Sequence, residues 1–278
     1  MQDIERTTPT EIAIYEALAT YRYLTTHQML KLEVSTSERY LYSALRNLRN
    51  RKKATIGALD FGAMPTVGRL PILYYLTEHG ASILEDYGRT WETIKFPKRV
   101  RLFSRDYFHR IRTIDFQIAL RQWAELNGAS VDLFNTYFDF GQLKGGRAYP
   151  KTRVYWKGGS LVPDAVFSFT TKDGKQRLCT FEMHNGGRAD RLAEQVRQYV
   201  EAIHQEAIET VYQYDGAVRI LIACEKTETQ ATLQKIIAKE NMAESIKQRF
   251  FLKPFYELGN DFVDSWESID GKKSIRLF

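Results

Sequence analysis

Leu161-Val-Pro-Asp-Ala-Val-Phe-Ser-Phe169, followed by Arg177-Leu-Cys-Thr-Phe-Glu-Met-His184, is the stretch whose reading decides the fold. Both halves read as short strands. Thr171-Lys-Asp-Gly174 between them is a turn of the Asp-Gly type, so the two runs are expected to form a hairpin. Each half carries one acid. Asp164 comes directly after Pro163, and Glu182 lies within the apolar run Cys179-Thr-Phe-Glu-Met183. A charge in an apolar strand is costly unless it is paired or metal-bound. Two carboxylates brought together by paired strands suit a hard divalent cation, which prefers oxygen ligands. The plainer alternative makes Asp164 a turn acid and Glu182 a strand-end acid.

Outward from this hairpin, the spacing of apolar residues predicts a sheet flanked by helices. A long helix is expected over 104–127, with Phe108, Ile111, Ile114, Ile118, Leu120 and Trp123 on its apolar face. Residues 130–140 read as a strand, and the Gly-rich, basic segment 141–157 as a loop or flexible hairpin. Residues 188–209 form a strong helical pattern through Leu192, Val196, Tyr199, Val200 and Ile203. Val218-Arg-Ile-Leu-Ile-Ala-Cys224 is a continuous apolar run, as expected of a strand buried on both faces. A helix over 227–239 and a strand over 250–256 follow, the latter placed at an edge because of Pro254. The helix ahead of 218–224 makes a crossover, which predicts parallel pairing within a mixed sheet. The fold class is α/β (α+β).

The N-terminal third has a different character. Thr8-Pro-Thr-Glu11 and Ser35-x-x-Glu38 are capping boxes. They predict a first helix from Pro9 and a third over 35–49, with a short helix over 26–32 between them. In the third helix, Leu41, Ala44, Leu45 and Leu48 share one face. Arg39, Ser43, Arg46, Asn47 and Asn50 occupy the other, offering forked donors to base edges and phosphates. Residues 55–59 and 70–76 read as strands joined by a wing over 60–69, and a helix starts at Thr77. The sum is an expected winged helix-turn-helix domain that inserts helix 35–49 into the major groove of double-stranded DNA.

Charge supports that partner. The 278 residues hold 40 Lys and Arg against 34 Asp and Glu, a formal charge of +6. The excess is clustered: Arg46, Arg49, Arg51, Lys52 and Lys53 form one group, and Lys98, Arg99, Arg101 and Arg105 another. Such clusters are the usual footprint for phosphate. The second group lies in a Gly- and Pro-containing linker, which puts the join between a domain of residues 1–97 and one of 98–278. The two cysteines, Cys179 and Cys224, lie in apolar runs and read as core residues. The first residues lack a basic-then-apolar signal pattern, and no apolar run reaches the ~20 residues of a membrane helix. A cytoplasmic location with no membrane partner is therefore expected, and homodimerisation is left open. No phosphate-cradling glycine loop is present.

The ordered set of motifs resembles a known fold. Pro163-Asp164 and Glu182-Met-His184 resemble the two halves of the PD-(D/E)xK signature of restriction-endonuclease-like domains, with His184 where Lys is usual. Gln195-Val-Arg-Gln-Tyr199 resembles the Q-x-x-x-Y helix motif of RecB-like members. With the N-terminal winged helix, Phe108-His-Arg-Ile-Arg and Tyr74-Tyr-Leu-Thr-Glu-His-Gly80, the chain resembles the replication-relaxation family of plasmids and integrated mobile elements. The resemblance implies a DNA endonuclease or relaxase in which Asp164 and Glu182 hold Mg2+ or Mn2+, with the Met183 carbonyl as a further ligand. His184 would act as general base or metal ligand, or mark lost hydrolysis. Gln195, Tyr199 and Arg191 share one helix face and would reach the metal site or a phosphate. Asp106, Asp115 and Asp139 are candidates for a third carboxylate. A tyrosine-linked nicking mechanism is a further option, but no tyrosine is singled out and no histidine triad supports it. The alternative function is a DNA-binding replication initiator or transcriptional regulator whose nuclease-like domain is inactive.

Overall fold

The computed structural model describes residues 7–98, 100, 103–142, 148–259, 262–271 and 274–277. The chain divides into two compact units, Met1–Asp115 and Phe116–Phe278. The division falls inside a long helix, whereas the sequence places the join near residue 97. Arg99 and Arg101 of the basic linker lie outside the described residues.

In the first unit, α1 (Pro9–Tyr21), α2 (Thr26–Lys31) and α3 (Glu38–Asn50) precede β1 (Ile56–Leu59). A small hairpin follows, β2 (Ala63–Met64) and β3 (Gly68–Arg69), then β4 (Leu73–Leu76) and α4 (Glu78–Asp86). Side chains set the helix starts. The Thr8 hydroxyl accepts from the Glu11 amide and the Glu11 carboxylate accepts from the Thr8 amide, the box read from the sequence. Thr25 and Gln28 build the same box for α2. At α3 the cap is Ser37, which accepts from the Tyr40 amide, and not Ser35. Ser35 instead accepts from the Ser37 amide at 3.2 Å and so shapes the approach to the helix. β1 and β4 pair antiparallel, with Ile56 opposite Leu76 and Leu59 opposite Leu73, and Leu24 bridges to Tyr74. Leu18, Met29, Leu41, Leu45, Leu48, Leu73 and Leu84 close the core beneath this ribbon. The start of α5 (Tyr107–Leu126) belongs to the same unit. The Tyr107 hydroxyl donates to Pro71 O at 2.8 Å, and Asp115 accepts from Gln28 Nε2 at 2.9 Å.

The second unit is built on one mixed sheet. Its elements are β5 (Ser130–Thr136), β6 (Phe140–Gln142), β7 (Ala148–Pro150), β8 (Val154–Trp156), β9 (Gly159–Leu161), β10 (Ala165–Thr170), β11 (Gln176–His184), α6 (Ala189–His204), α7 (Ala207–Tyr212), β12 (Arg219–Cys224), α8 (Thr227–Ile237), α9 (Glu244–Lys247), β13 (Phe250–Pro254), β14 (Trp266–Ser268) and β15 (Ser274–Ile275). The seven-stranded order is β15-β14-β13-β12-β11-β10-β5. β10 is antiparallel to both β5 and β11, while β11, β12 and β13 run parallel. The crossover through α6 and α7 thus joins parallel neighbours, as the apolar run at 218–224 predicts.

Alternation along the strands gives the sheet two apolar faces. Val166, Leu178, Ile220, Ile222 and Leu252 pack with Leu192, Val196, Ile203 and Leu233 of α6 and α8. Phe167, Phe181, Leu221 and Phe251 face the other way and pack with Phe116 and Leu120 of α5, and with Trp266. Phe116 stacks on Phe181 with ring centroids 3.8 Å apart. The glutamate in the middle of β11 therefore sits on the α6 face, with apolar neighbours on both sides along the strand.

Three expectations need correction, and the loop or flexible hairpin expected over 141–157 is made specific. The strand over 130–140 is broken after Thr136, where the Asp139 carboxylate accepts from the Thr136 amide at 2.9 Å and turns the chain. The segment over 141–157 contains β6 paired with β7, and β8 leading into β9; residues 143–147 lie outside the described residues. The helix over 188–209 is interrupted between α6 and α7, where Glu206 adopts a positive φ of 48°. β13 lies inside the sheet, between β12 and β14; Pro254 is tolerated because it is the last residue of the strand.

Candidate functional site

The hairpin of β10 and β11 places Ala165 opposite Phe181, so Asp164, one residue earlier, lies beside Glu182 on the α6 face. Both are buried. Asp164 Oδ2 accepts from the Met183 amide at 2.7 Å. The Tyr199 hydroxyl, fully buried on α6, donates to Glu182 Oε1 at 2.5 Å. Gln195 lies one helical turn before Tyr199 on the same side of α6. Burial, then the neighbouring Asp164 charge, pushes the Glu182 carboxyl well above the usual carboxylate range, against the donors Tyr199 and Gln195. Burial, then Glu182, pushes the Tyr199 phenol up as well.

His184 is half-buried at the end of β11, two residues beyond Glu182 on the same strand face. Its carbonyl accepts from the Glu225 amide at 2.9 Å. Arg191 is exposed on α6. The three candidate third carboxylates have other partners. Asp106 pairs with Arg110 at 2.6 Å, Asp115 accepts from Gln28, and Asp139 holds the turn after β5. Among the described residues, no cluster of three or more His, Cys, Asp or Glu side chains stands together as a metal site. What the fold does bring together is a buried pair of acids on adjacent strands. Its donor chemistry fits a hard divalent cation whose remaining ligands are backbone carbonyl and water. Cys179 and Cys224 are free, buried thiols, as their apolar settings predict.

The first unit offers a second candidate surface. Arg39, Ser43, Arg46, Asn47, Arg49 and Asn50 are exposed on α3, opposite buried Leu41, Ala44, Leu45 and Leu48. Lys52 and Lys53 extend this basic surface past the helix end. Arg51 behaves differently. Its guanidinium turns back onto α1, pairing with Glu11 at 2.7 Å and donating to the Tyr15 hydroxyl at 3.2 Å. Arg49 lies near the ribbon, where its charge acts on Tyr74. Tyr40 and Tyr42, on the flanks of the outward face of α3, were not picked out from the sequence; they are 49% and 50% exposed. Their signal was present as aromatic residues interleaved with the basic ones.

The replication-relaxation family model matches residues 15–214, which include α3, the acid pair and the Gln195–Tyr199 turn. The chain belongs to the replication-relaxation family. Among curated proteins no sequence matches it. Family membership points to a role in replication and so to DNA as a partner. Among the described residues, no helix is long and apolar enough to cross a membrane.

Proposed function

We propose that this replication-relaxation protein binds duplex DNA through a winged helix-turn-helix and nicks or cleaves a DNA strand at the Asp164–Glu182 pair. The helices α1 to α3, the β1–β4 ribbon and α4 support the first half. On this reading α3 enters the major groove and Arg39, Ser43, Arg46 and Asn47 meet base edges and phosphates. Arg49, Lys52 and Lys53 contact the backbone, and Arg51 fixes the frame through Glu11.

The observation that carries the second half is the burial of two acids set side by side by the pairing of β10 with β11. Asp164 and Glu182 would hold Mg2+ or Mn2+ with the Met183 carbonyl. The ion would supply charge neutralisation at the phosphate and a more acidic bound water. Tyr199 orients the Glu182 carboxylate, and the Met183 amide orients Asp164. His184 takes the position usual for lysine and is the candidate general base. That substitution also favours a second reading, in which the domain binds DNA and metal without hydrolysis and the protein acts as an initiator or regulator. Incubation with supercoiled plasmid and Mg2+ or Mn2+ separates the two. Nicking that disappears in Asp164→Ala and Glu182→Ala supports the first; intact DNA binding without nicking supports the second.

A further inference from the structure

The segment Lys151-Thr-Arg-Val-Tyr-Trp-Lys157 alternates sharply. Thr152 and Val154 are buried and Trp156 packs against the α6-side core, whereas Lys151, Tyr155 and Lys157 are exposed and Arg153 is partly so. The odd positions are three cations and one aromatic ring, with Lys151 and Arg153 in the turn before β8 and Lys157 in the turn after it. Tyr155 is 62% exposed, and the Arg153 guanidinium lies 5.7 Å from its ring centroid. Arg153 also donates to Ser160 Oγ at 3.4 Å, opposite Tyr155 across the hairpin. None of Lys151, Arg153 and Lys157 has an ion-pair partner among the described residues.

The row is held rigidly. Gln205 accepts from the Lys157 amide at 3.1 Å and donates to the Lys157 carbonyl at 3.4 Å. The Tyr212 hydroxyl donates to Lys151 O at 3.3 Å. The turn uses Gly158 at φ 100°, and Trp156 lies so close over Gly159 that a Cβ there would meet its ring at 2.7 Å. The Thr152 hydroxyl donates to Pro163 O at 2.7 Å, which ties the row to the residue preceding Asp164.

We infer that the exposed side of β8 and its two flanking turns binds single-stranded nucleic acid next to the acid pair, with an unpaired base stacked on Tyr155 and phosphates on Lys151, Arg153 and Lys157. The inference deepens the proposed reading by naming an unpaired strand as what the second unit takes. A basic row alone would fit any polyanion. The exposed ring under a guanidinium narrows the choice, because only an unpaired base has a free face to stack on it.

The test is fluorescence anisotropy of the full chain with a labelled oligothymidylate and with a blunt duplex of equal length, without divalent cation. Tyr155→Ala is expected to weaken oligothymidylate binding by about 10-fold, within the range for loss of one base–aromatic stack, at unchanged salt slope. Duplex binding stays the same and Tyr155→Phe retains full affinity. Lys151→Ala lowers the single-strand salt slope by about 0.7. Unchanged oligothymidylate binding in Tyr155→Ala, or an equal loss on duplex, overturns the inference. Glu182→Ala is expected to lose nicking and keep this binding; nicking retained in Glu182→Ala, with strand binding also intact, counts against the catalytic reading alone.

Discussion

The outward face of α3 and the Asp164–Glu182 pair hold charge in opposite ways. On α3 the arginines stand in water, spaced along a helix whose other face does the packing. Their ionisation costs the fold little, and they remain available to a polyanion. In the second unit two acids are buried side by side, and burial, then the Asp164 charge, raises the pKa of Glu182. Exposed charge of the first kind supplies affinity, which salt can screen. Buried charge of the second kind is a stored demand for a counter-ion, and its satisfaction is chemistry. Arg51 shows that sequence proximity does not decide the class: it follows α3 directly, yet its charge is spent on Glu11.

The largest expected effect that could break this contrast is on catalysis. Glu182→Ala should lower plasmid nicking by roughly 100-fold or more, as the loss of a metal-holding carboxylate implies. Arg46→Ala should leave the rate at saturating DNA unchanged. Equal losses in a single-turnover assay would merge the two sites into one function. Next comes stability. Tyr199→Phe leaves Glu182 Oε1 without its buried donor and should cost about 1–3 kcal/mol in urea unfolding, while Arg39→Ala stays within about 0.5 kcal/mol.

Affinity gives a finer distinction. Arg39→Ala and Arg46→Ala should each weaken duplex binding and lower the salt slope by about one, whereas Arg51→Ala should leave the slope as it is. A fall in slope for Arg51→Ala would show that its pairing with Glu11 opens on DNA. The smallest effect is in pH dependence. Because the folded-state pKa of Glu182 is raised, the unfolded chain ionises first as pH rises through the carboxylate range. Stability therefore falls with rising pH from that range upward. Glu182→Gln should flatten this part of the melting-temperature profile; a profile identical to that of the parent chain would remove Glu182 as its cause.

Much of this was legible in the sequence where local rules act alone. The Thr8–Glu11 box, the apolar stripe of α3 and the acid-bearing hairpin follow from spacing, and the parallel pairing of β12 follows from its crossover. What escaped depends on tertiary contact. β6 to β9 are three residues each, too short for alternation to stand out against Gly and Lys, and β8 is read only once Gln205 and Thr152 are seen to anchor it. The cap shifted from Ser35 to Ser37 because both serines can accept from a nearby amide, and tertiary placement chose between them. The break at Glu206 carries no glycine or proline to announce it. In the site, the closeness of Asp164 and Glu182 follows from strand register, but the hydrogen bond from Tyr199 is visible only once α6 is laid across β11.

The central claim is that the buried acid pair is a site for a divalent cation. It is tested most directly by melting the full chain at pH 8 with and without Mn2+, alongside Asp164→Ala and Glu182→Ala. An ion that binds only the folded state raises the melting temperature by mass action. The account predicts a rise for the parent chain that saturates with Mn2+ and is absent in both variants. No rise in the parent, or the same rise in all three proteins, would contradict it.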